Sequence, residues 1–217
     1  MDALELDVRL SADGHVVVIH DSTLDRTTDR SGRVERLTLA EIRDADAGAR
    51  YTADSGASHP YRDSGIQVPT LDEVLETFGE MPLLIEIKAP EASTATRQAI
   101  ERHAAAHRCI VAAFNEAAME PFRGSRIPQA ASRRDTVKLL WRAALRVPAR
   151  HVDFSVLCMP PVHRGLPLPV GGYAGILEPL GVPVHVWTID QADDARRLRA
   201  RGVRGIISND PAAIMGR

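Results

Sequence analysis

Two carboxylates stand one residue apart near the start of the chain, in a stretch that otherwise has the pattern of a buried strand. The stretch is ALELDV, and the carboxylates are Glu5 and Asp7. Because successive side chains of a strand point to opposite faces, both carboxylates share one face, whereas Leu4, Leu6 and Val8 share the other. Ionised carboxylates are costly to remove from water, and neighbouring like charges raise one another's pKa. We therefore expect a cation beside them.

A second strand, PLLIEIK, repeats this arrangement. Glu86 and Lys88 are predicted to share one face of the strand, and Ile85 and Ile87 the other. Three carboxylates on two strands are thus expected to converge inside a barrel, near the strand ends where such folds carry their active sites. Oxygen ligands favour a hard divalent cation, Mg²⁺ or Ca²⁺. The alternative is a set of structural ion pairs with Arg9 and Lys88, but the two strands together favour the metal.

Two further residues could act on a substrate. Only two of the 27 basic residues are lysines, Lys88 and Lys138. A cation beside Glu86 suits an anionic group such as a phosphate, although it could also balance Glu86 alone. His20 ends the apolar run VVVIH and precedes Asp21. A histidine at a strand end beside carboxylates is a candidate general acid or base, whereas an isolated one is more often structural.

Other function classes find less support in the sequence. No G-x-S-x-G, Walker or G-x-G-x-x-G motif is present, so neither a serine nor a cysteine nucleophile is indicated. Cys109 and Cys158 lie in apolar runs and are predicted to be buried free thiols. With 27 basic and 29 acidic residues, the near-neutral charge argues against broad attraction to nucleic acid or anionic membranes. No apolar stretch is long enough to span a bilayer, and no signal peptide is evident.

Strand-length apolar runs alternate with helical patterns along the chain, which indicates an α/β fold with a parallel sheet. We count seven strands of the βα type, with VVVIH taken as an extension of the first strand, whereas a closed barrel has eight. A polar stretch at residues 21–65 resembles an insertion on one face of the barrel. No linker or repeat divides the chain, so we expect one domain over residues 1–217. The capping signals Thr38 with Glu41 and Thr70 with Glu73 predict two helix starts.

These stretches together resemble the glycerophosphodiester phosphodiesterase family, in the order and spacing that the family expects. The resemblance implies a TIM-type (β/α)₈ barrel with a small insertion after its second strand, where residues 21–65 lie. The segments that carry it are ALELDVRLSADGHVVVIHDSTLDRTTDRSG, VPTLDEVLE, LLIEIK, VHVWTID and GVRGIISNDP.

The resemblance also implies roles for individual residues. His20 would match one of the family's two catalytic histidines, and Lys88 a lysine near the substrate phosphate. Trp187 would match an aromatic residue that lines the pocket near the glycerol moiety, although it could instead pack on the barrel end. The ligands implied for the divalent cation are Glu5, Asp7 and Glu86.

The activity implied is hydrolysis of glycerophosphodiesters to glycerol 3-phosphate and an alcohol, by acid–base catalysis with the cation. A lysophospholipid or another phosphodiester is an alternative substrate. We expect a cytoplasmic protein with no nucleic-acid partner and no integral membrane segment, and the sequence is compatible with a homo-oligomer.

Two departures from the family pattern bear on these expectations. Family members begin with a strand that ends in His-Arg-Gly, followed by a Pro-Glu-Asn-Thr motif, but here Met1 falls where the second strand should start. We thus expect the first βα unit, one catalytic histidine and a glutamate near the metal to be missing. Three explanations are a start set too far downstream, which we favour, a truncated gene, or completion by another chain. Loss of one acid–base group predicts a roughly 10²–10⁴-fold slower reaction; an inactive binding or structural remnant is the alternative.

The second departure is minor: the family's Thr-Asp before the final proline is replaced by Ser208-Asn209-Asp210-Pro211.

Overall fold

The structure, a computed structural model, describes residues 2–54 and 56–215. The chain divides into two compact units, which we call the amino-terminal unit, Asp2–Ile127, and the carboxy-terminal unit, Pro128–Arg217. The prediction of a single domain with an insertion at residues 21–65 stays a prediction, and Met1 and Ser55 lie outside the described residues. None of the helices in the described parts of the chain combines the length and the apolar character needed to cross a bilayer.

The amino-terminal unit contains a four-stranded sheet in the order β2-β1-β3-β4. Strands β1, β3 and β4 are parallel, and β2 is an antiparallel edge strand that returns along β1 after a turn at Gly14. The prediction that VVVIH extends the first strand is therefore wrong, because the turn SADG reverses the chain. The elements are β1 Leu4–Leu10, β2 Val16–Val18, α1 Leu39–Arg43, α2 Leu71–Thr77, β3 Leu83–Ile87, α3 Ser93–Arg102 and β4 Cys109–Ala112, with 3₁₀ turns at Val34–Arg36, Pro90–Ala92, Ala105–His107 and Glu116–Phe122.

The predicted alternation along β1 and β3 is present. Leu6 and Val8 are buried on one face of β1, and Ile85 and Ile87 on the same face of β3. Helices cover this face, and burial of each large aliphatic side chain contributes about 1.5–3 kcal/mol. The core of the unit includes Leu6, Val8, Leu71, Leu75, Ile85, Ile87, Ile100, Val111 and Phe122. The opposite face of the two strands is thereby left for polar side chains.

The polar stretch after β2 is organised around a small core of its own, built from Val17, Ile19, Leu24, Val34, Ile42, Ala45 and Val68. Helix α1 begins at a capping box in which the Thr38 side chain accepts from the Glu41 N–H. Helix α2 begins in the same way, with Thr70 and Glu73. Both predicted helix starts are confirmed, and each box satisfies backbone N–H groups that have no partner within the helix.

The carboxy-terminal unit contains a parallel three-stranded sheet in the order β5-β8-β9 and a two-stranded hairpin, β6-β7. A parallel bridge joins Ala130 to Val156. The elements are α4 Arg133–Leu145, β5 Leu157–Met159, β6 Val162–His163, β7 Leu166–Pro167, α5 Val170–Leu177, β8 Val184–Val186, α6 Ala192–Arg199, β9 Gly205–Ile206 and α7 Pro211–Met215, with a 3₁₀ turn at Glu178–Leu180.

Helices α4 and α5 pack closely in this unit. A Cβ atom at Gly172 would lie 2.0 Å from the backbone oxygen of Ala143, so the contact depends on glycine. The hydroxyl of buried Tyr173 donates a hydrogen bond of 2.7 Å to the backbone oxygen of Thr136. Together these contacts fix which face of α4 is turned inward. Neither cysteine forms a disulfide, as predicted, and Cys109 is buried; the prediction that Cys158 is buried is wrong, because it lies half-buried on the second face of β5.

Candidate active site

Three carboxylates converge where β1 and β3 lie side by side. The parallel register sets Asp7 opposite Glu86 and Glu5 opposite Leu84. One carboxylate oxygen from each of Glu5, Asp7 and Glu86 lies within 4.8 Å of the others. We call these three residues the acidic cluster. The structure thus brings together the three side chains that strand alternation had placed on one face.

Lys88 supplies a positive charge to two members of the cluster. Its Nζ atom lies 2.9 Å from Oδ1 of Asp7 and donates a hydrogen bond of 2.5 Å to Oε1 of Glu86. The lysine side chain is only 13% exposed, so these ion pairs are shielded from solvent. Burial alone would lower the pKa of Lys88, but the hydrogen bonds to Glu86 and Asp7 outweigh burial and raise it. Lys88 is therefore protonated.

Glu5 is the member of the cluster that Lys88 does not contact through a hydrogen bond. Its side chain reaches solvent, yet the surrounding protein raises the pKa of Glu5 to about 7, and the charges of Asp7 and Glu86 add to this effect. The charge of Lys88 acts in the opposite direction without cancelling it. Three carboxylates and one ammonium leave excess negative charge, and an all-oxygen donor set of this kind fits Mg²⁺ or Ca²⁺. The ion-pair alternative thus accounts for two carboxylates and leaves the third unbalanced.

His20 is held by a hydrogen-bonded chain at the end of β2. Its Nδ1 atom lies 2.7 Å from Oδ1 of Asp21. Arg26 donates to both oxygens of the same carboxylate, at 2.5 and 3.0 Å. These hydrogen bonds hold the pKa of Asp21 at about 2, so Asp21 is an anion that accepts the Nδ1 proton. In a neutral imidazole ring with its proton on Nδ1, the Nε2 atom carries the lone pair that a general base requires.

The backbone also ties His20 to β1. The N–H of Ile19 donates to the backbone oxygen of Asp7 at 2.9 Å. The side chain of Arg9 donates to the backbone oxygen of His20 at 2.9 Å. Arg9 therefore anchors the histidine segment, whereas the sequence had suggested it as a counter-ion for the carboxylates. His20 lies two residues beyond β2, the strand that pairs with β1, and β1 carries Glu5 and Asp7.

Sequence reasoning missed Arg26 and Phe114. Phe114 lies two residues beyond β4 and is 64% exposed, and the centroid of its ring is 6.0 Å from Nζ of Lys88. Strand parity could have identified it, because Phe114 shares a face with Ala112, which stands opposite Glu86 in the ladder. Arg26 carried no such signal, because it contacts Asp21 only through the fold of the polar stretch.

Trp187 lies in the carboxy-terminal unit, directly after β8. It is half-buried, and its backbone N–H donates to the backbone oxygen of Met159 at 3.3 Å. Its predicted contact with substrate stays a prediction.

Solved structures share this chain's architecture. A glycerophosphodiester phosphodiesterase from Agrobacterium tumefaciens has a TM-score of 0.74 and 25% identity, over 100% of this chain and 87% of that one. A phosphodiesterase from Oleispira antarctica, solved in complex with the product sn-glycerol 3-phosphate, has a TM-score of 0.77 and 24% identity, over 100% and 84%. These neighbours are TIM-barrel enzymes, which confirms the predicted α/β barrel fold class and places the chain among barrel-type phosphoric diester hydrolases.

Sequence relatives narrow this class to a family. The profile of the Glycerophosphoryl diester phosphodiesterase family matches residues 1–213. A glycerophosphodiester phosphodiesterase of Caldanaerobacter subterraneus subsp. tengcongensis is 32% identical over 236 residues, which span 99% of this chain and 84% of the relative. The chain belongs to the glycerophosphoryl diester phosphodiesterase family, and the predicted membership is confirmed.

Proposed function

We propose that the chain hydrolyses glycerophosphodiesters to glycerol 3-phosphate and an alcohol, with Mg²⁺ or Ca²⁺ as cofactor. The observation that carries the proposal is the acidic cluster beside Lys88, an all-oxygen cation site with one ammonium group at its edge. The 32% identical relative, a glycerophosphodiester phosphodiesterase, supports the same substrate class. Family membership alone would leave the substrate and the metal unassigned.

The ligands proposed for the cation are Glu5, Asp7 and Glu86. When bound, a divalent cation would withdraw charge from a phosphodiester oxygen as negative charge builds up on phosphorus. Lys88 already contacts two of these carboxylates, which supports a role for its ammonium group beside a phosphate bound to the cation. We assign it to orient the phosphate and to offset part of its charge.

His20 is assigned to proton transfer. In hydrolysis, the nucleophile loses a proton as it attacks phosphorus, the P–O bond to the alcohol breaks, and the departing alkoxide takes up a proton. The Asp21 carboxylate holds Nδ1 of His20 and leaves Nε2 for the reacting group. The resemblance implies a second acid–base residue, which we do not assign to any residue of this chain. Trp187 is proposed to line the glycerol pocket.

A lysophospholipid is the second candidate substrate. Phe114 presents an exposed aromatic ring near the ammonium group of Lys88, and an apolar side chain beside the phosphate position favours a substrate that carries an acyl chain. Glycerophosphocholine and lysophosphatidylcholine share a headgroup and differ in the acyl chain. Their relative turnover therefore distinguishes the two candidates.

The test is release of glycerol 3-phosphate from glycerophosphocholine, with Mg²⁺ or Ca²⁺ added and then removed by a chelator. We expect product only with the metal. Glu86→Ala should abolish turnover, whereas Glu76→Ala, an exposed carboxylate on α2, should retain it. Full turnover of Glu86→Ala would remove the metal assignment. If no phosphodiester is turned over with either metal, the alternative of an inactive remnant stands.

A further inference from the structure

Helix α4 presents an apolar stripe to solvent. Val137, Trp141 and Leu145 recur every four residues and are 61%, 51% and 70% exposed, and Leu140 beside them is 41% exposed. Residues spaced by four share one face of a helix, so these side chains form a continuous stripe. We call it the α4 stripe. Large apolar side chains gathered on one helix face are unusual for a surface that stays in water.

The inner face of α4 is already occupied, so the stripe is not a misplaced core. Buried Ala143 packs against α5 at Gly172, and the hydroxyl of Tyr173 bonds to the backbone of Thr136. Rotating the helix to bury the stripe would break these contacts. The apolar side chains therefore remain outward while the unit keeps its fold.

A basic row runs beside the stripe. Arg134, Lys138 and Arg142 are also spaced by four residues, and Arg133 adds a further positive charge at the helix start. The guanidinium group of Arg142 lies 4.6 Å from the centre of the Trp141 ring, so the charged and apolar rows are in contact. The single acidic residue of the helix, Asp135, accepts hydrogen bonds from Ser132 in the helix cap. The outer face thus carries a strong local positive charge on a chain whose net charge is −2.

We propose that the outer face of α4 docks on the surface of an anionic phospholipid bilayer. Apolar and tryptophan side chains on one face of a helix, with lysine and arginine beside them, are typical of helices that lie in the interface plane. The basic row would meet anionic headgroups, and the α4 stripe would enter the boundary between headgroups and acyl chains. This inference does not depend on the proposed reaction.

A second copy of the chain is the main competing occupant. Pairing two α4 faces across a two-fold axis would bring the basic rows of both copies together, and like charges in an interface are unfavourable. An anionic bilayer satisfies the apolar and the charged rows at once. Charge complementarity therefore favours the bilayer over self-association.

The test is co-sedimentation of the 217-residue chain with vesicles of phosphatidylcholine alone and of phosphatidylcholine mixed with phosphatidylglycerol. We expect binding to the mixed vesicles that weakens as salt is raised. The double variant Arg134→Gln/Lys138→Gln should bind roughly 30-fold more weakly, from about a fivefold effect per charge. The matched control is Arg199→Gln/Arg201→Gln, which removes the same charge from exposed positions at the end of α6 and should bind as the unaltered chain does.

Tryptophan fluorescence reports the docking directly. Trp187→Phe leaves Trp141 as the chain's one indole, because the sequence contains two tryptophans. Its emission should shift to the blue with the mixed vesicles and be quenched by brominated acyl chains. Val137→Ser/Leu145→Ser should lower binding at least tenfold without changing the circular dichroism. Equal binding to both vesicle types, no binding, or a dimer that the serine variant dissociates while vesicles have no effect would overturn the proposal.

Discussion

Each unit contains a ladder, a pair of parallel strands whose side chains alternate between a buried and a half-buried face. The two ladders differ in the side chains that occupy the half-buried face. In the amino-terminal unit, β1 and β3 bury aliphatic side chains on one face and set Asp7 opposite Glu86 on the other. In the carboxy-terminal unit, β5 and β8 also bury one face, but the other sets Cys158 opposite His185. Strand geometry is shared, so the difference lies in which residues occupy the half-buried face.

Each ladder handles its half-buried face differently. In the first ladder, Lys88 offsets part of the negative charge of the carboxylates. The pKa of Glu5 nevertheless stays raised, by burial and by the charges of its neighbours. The second ladder carries no carboxylate at these positions. Burial lowers the pKa of His185, which favours its neutral form, and its ring packs where a Cβ at Gly205 would be only 2.3 Å away. Excess charge therefore makes the face of the first ladder a candidate cation site, whereas the face of the second is filled by packing.

The largest expected difference between the two regions concerns their histidines. His20→Asn should lower kcat by roughly 10²–10⁴-fold, because it removes the group proposed to transfer a proton. His185→Asn should leave kcat unchanged, since its ring faces Gly205 in the packed ladder. Steady-state kinetics with glycerophosphocholine, with thermal unfolding to confirm the fold, makes the comparison. Equal losses in both variants would contradict the separation of the two ladders.

The next effect sharpens the claim that the carboxy-terminal unit depends on packing. Gly172→Ala should lower the free energy of unfolding by about 3 kcal/mol, because its Cβ would collide with the backbone oxygen of Ala143. Gly175→Ala in the same helix meets nothing within 4 Å and should stabilise by about 0.5–1 kcal/mol, since alanine favours the helix. Urea denaturation measures both. A stable Gly172→Ala variant would show that α4 and α5 can shift apart.

Strand periodicity and capping motifs were enough to predict much of the fold. The faces of β1 and β3 followed from alternation alone, and the starts of α1 and α2 from Thr38 and Thr70. The prediction that VVVIH extends the first strand was wrong, because an apolar run does not reveal whether the preceding turn reverses the chain. Gly14, with a φ of 85°, makes that reversal.

The centre of the candidate site could be predicted from the sequence, but the residues around it could not. Convergence of Glu5, Asp7 and Glu86 needed only strand parity and parallel register. Arg26 needed the path of a polar stretch without periodicity, so no pattern linked it to Asp21. The outward face of α4 could not be predicted from the sequence either. The pattern RRDTVKLLWRAA predicts a helix, but which of its sides faces inward depends on contacts from Gly172 and Tyr173.

A smaller effect compares two carboxylates with lowered pKa values, one in each unit. Asp21 is held near 2 by Arg26 and His20, against an ordinary value of 3.8. A lowered folded-state pKa stabilises the protein above pH 3.8, and the stabilisation is lost as the pH falls towards 2. Asp21→Asn should therefore cost about 1–2 kcal/mol at neutral pH, and the difference from the unaltered chain should shrink in acid.

Asp190 provides the contrast. Burial raises its pKa, but hydrogen bonds from Asn209 and Ser208 outweigh burial and leave the value lowered. Because these partners are uncharged, the cost of Asp190→Asn should not change with salt, whereas the cost of Asp21→Asn should fall as salt screens exposed Arg26. Chemical denaturation over a salt series distinguishes the two. Equal salt dependence would show that Arg26 does not act on Asp21 through its charge.

The smallest expected effect concerns the helix caps, for which the two units should give the same result. Thr70→Ala removes the capping box of α2, and Ser132→Ala that of α4. Each loses a side-chain acceptor for a backbone N–H at the first helical turn, so each should cost about 1 kcal/mol in urea denaturation. Neither cap includes a residue of the acidic cluster, Lys88 or His20, so neither variant should change KM. A much larger cost at Ser132 would mean that the α4 cap also fixes the helix against Tyr173, whose hydroxyl bonds to Thr136 within the same first turn. The cap and the outward display of the α4 stripe would then be energetically coupled.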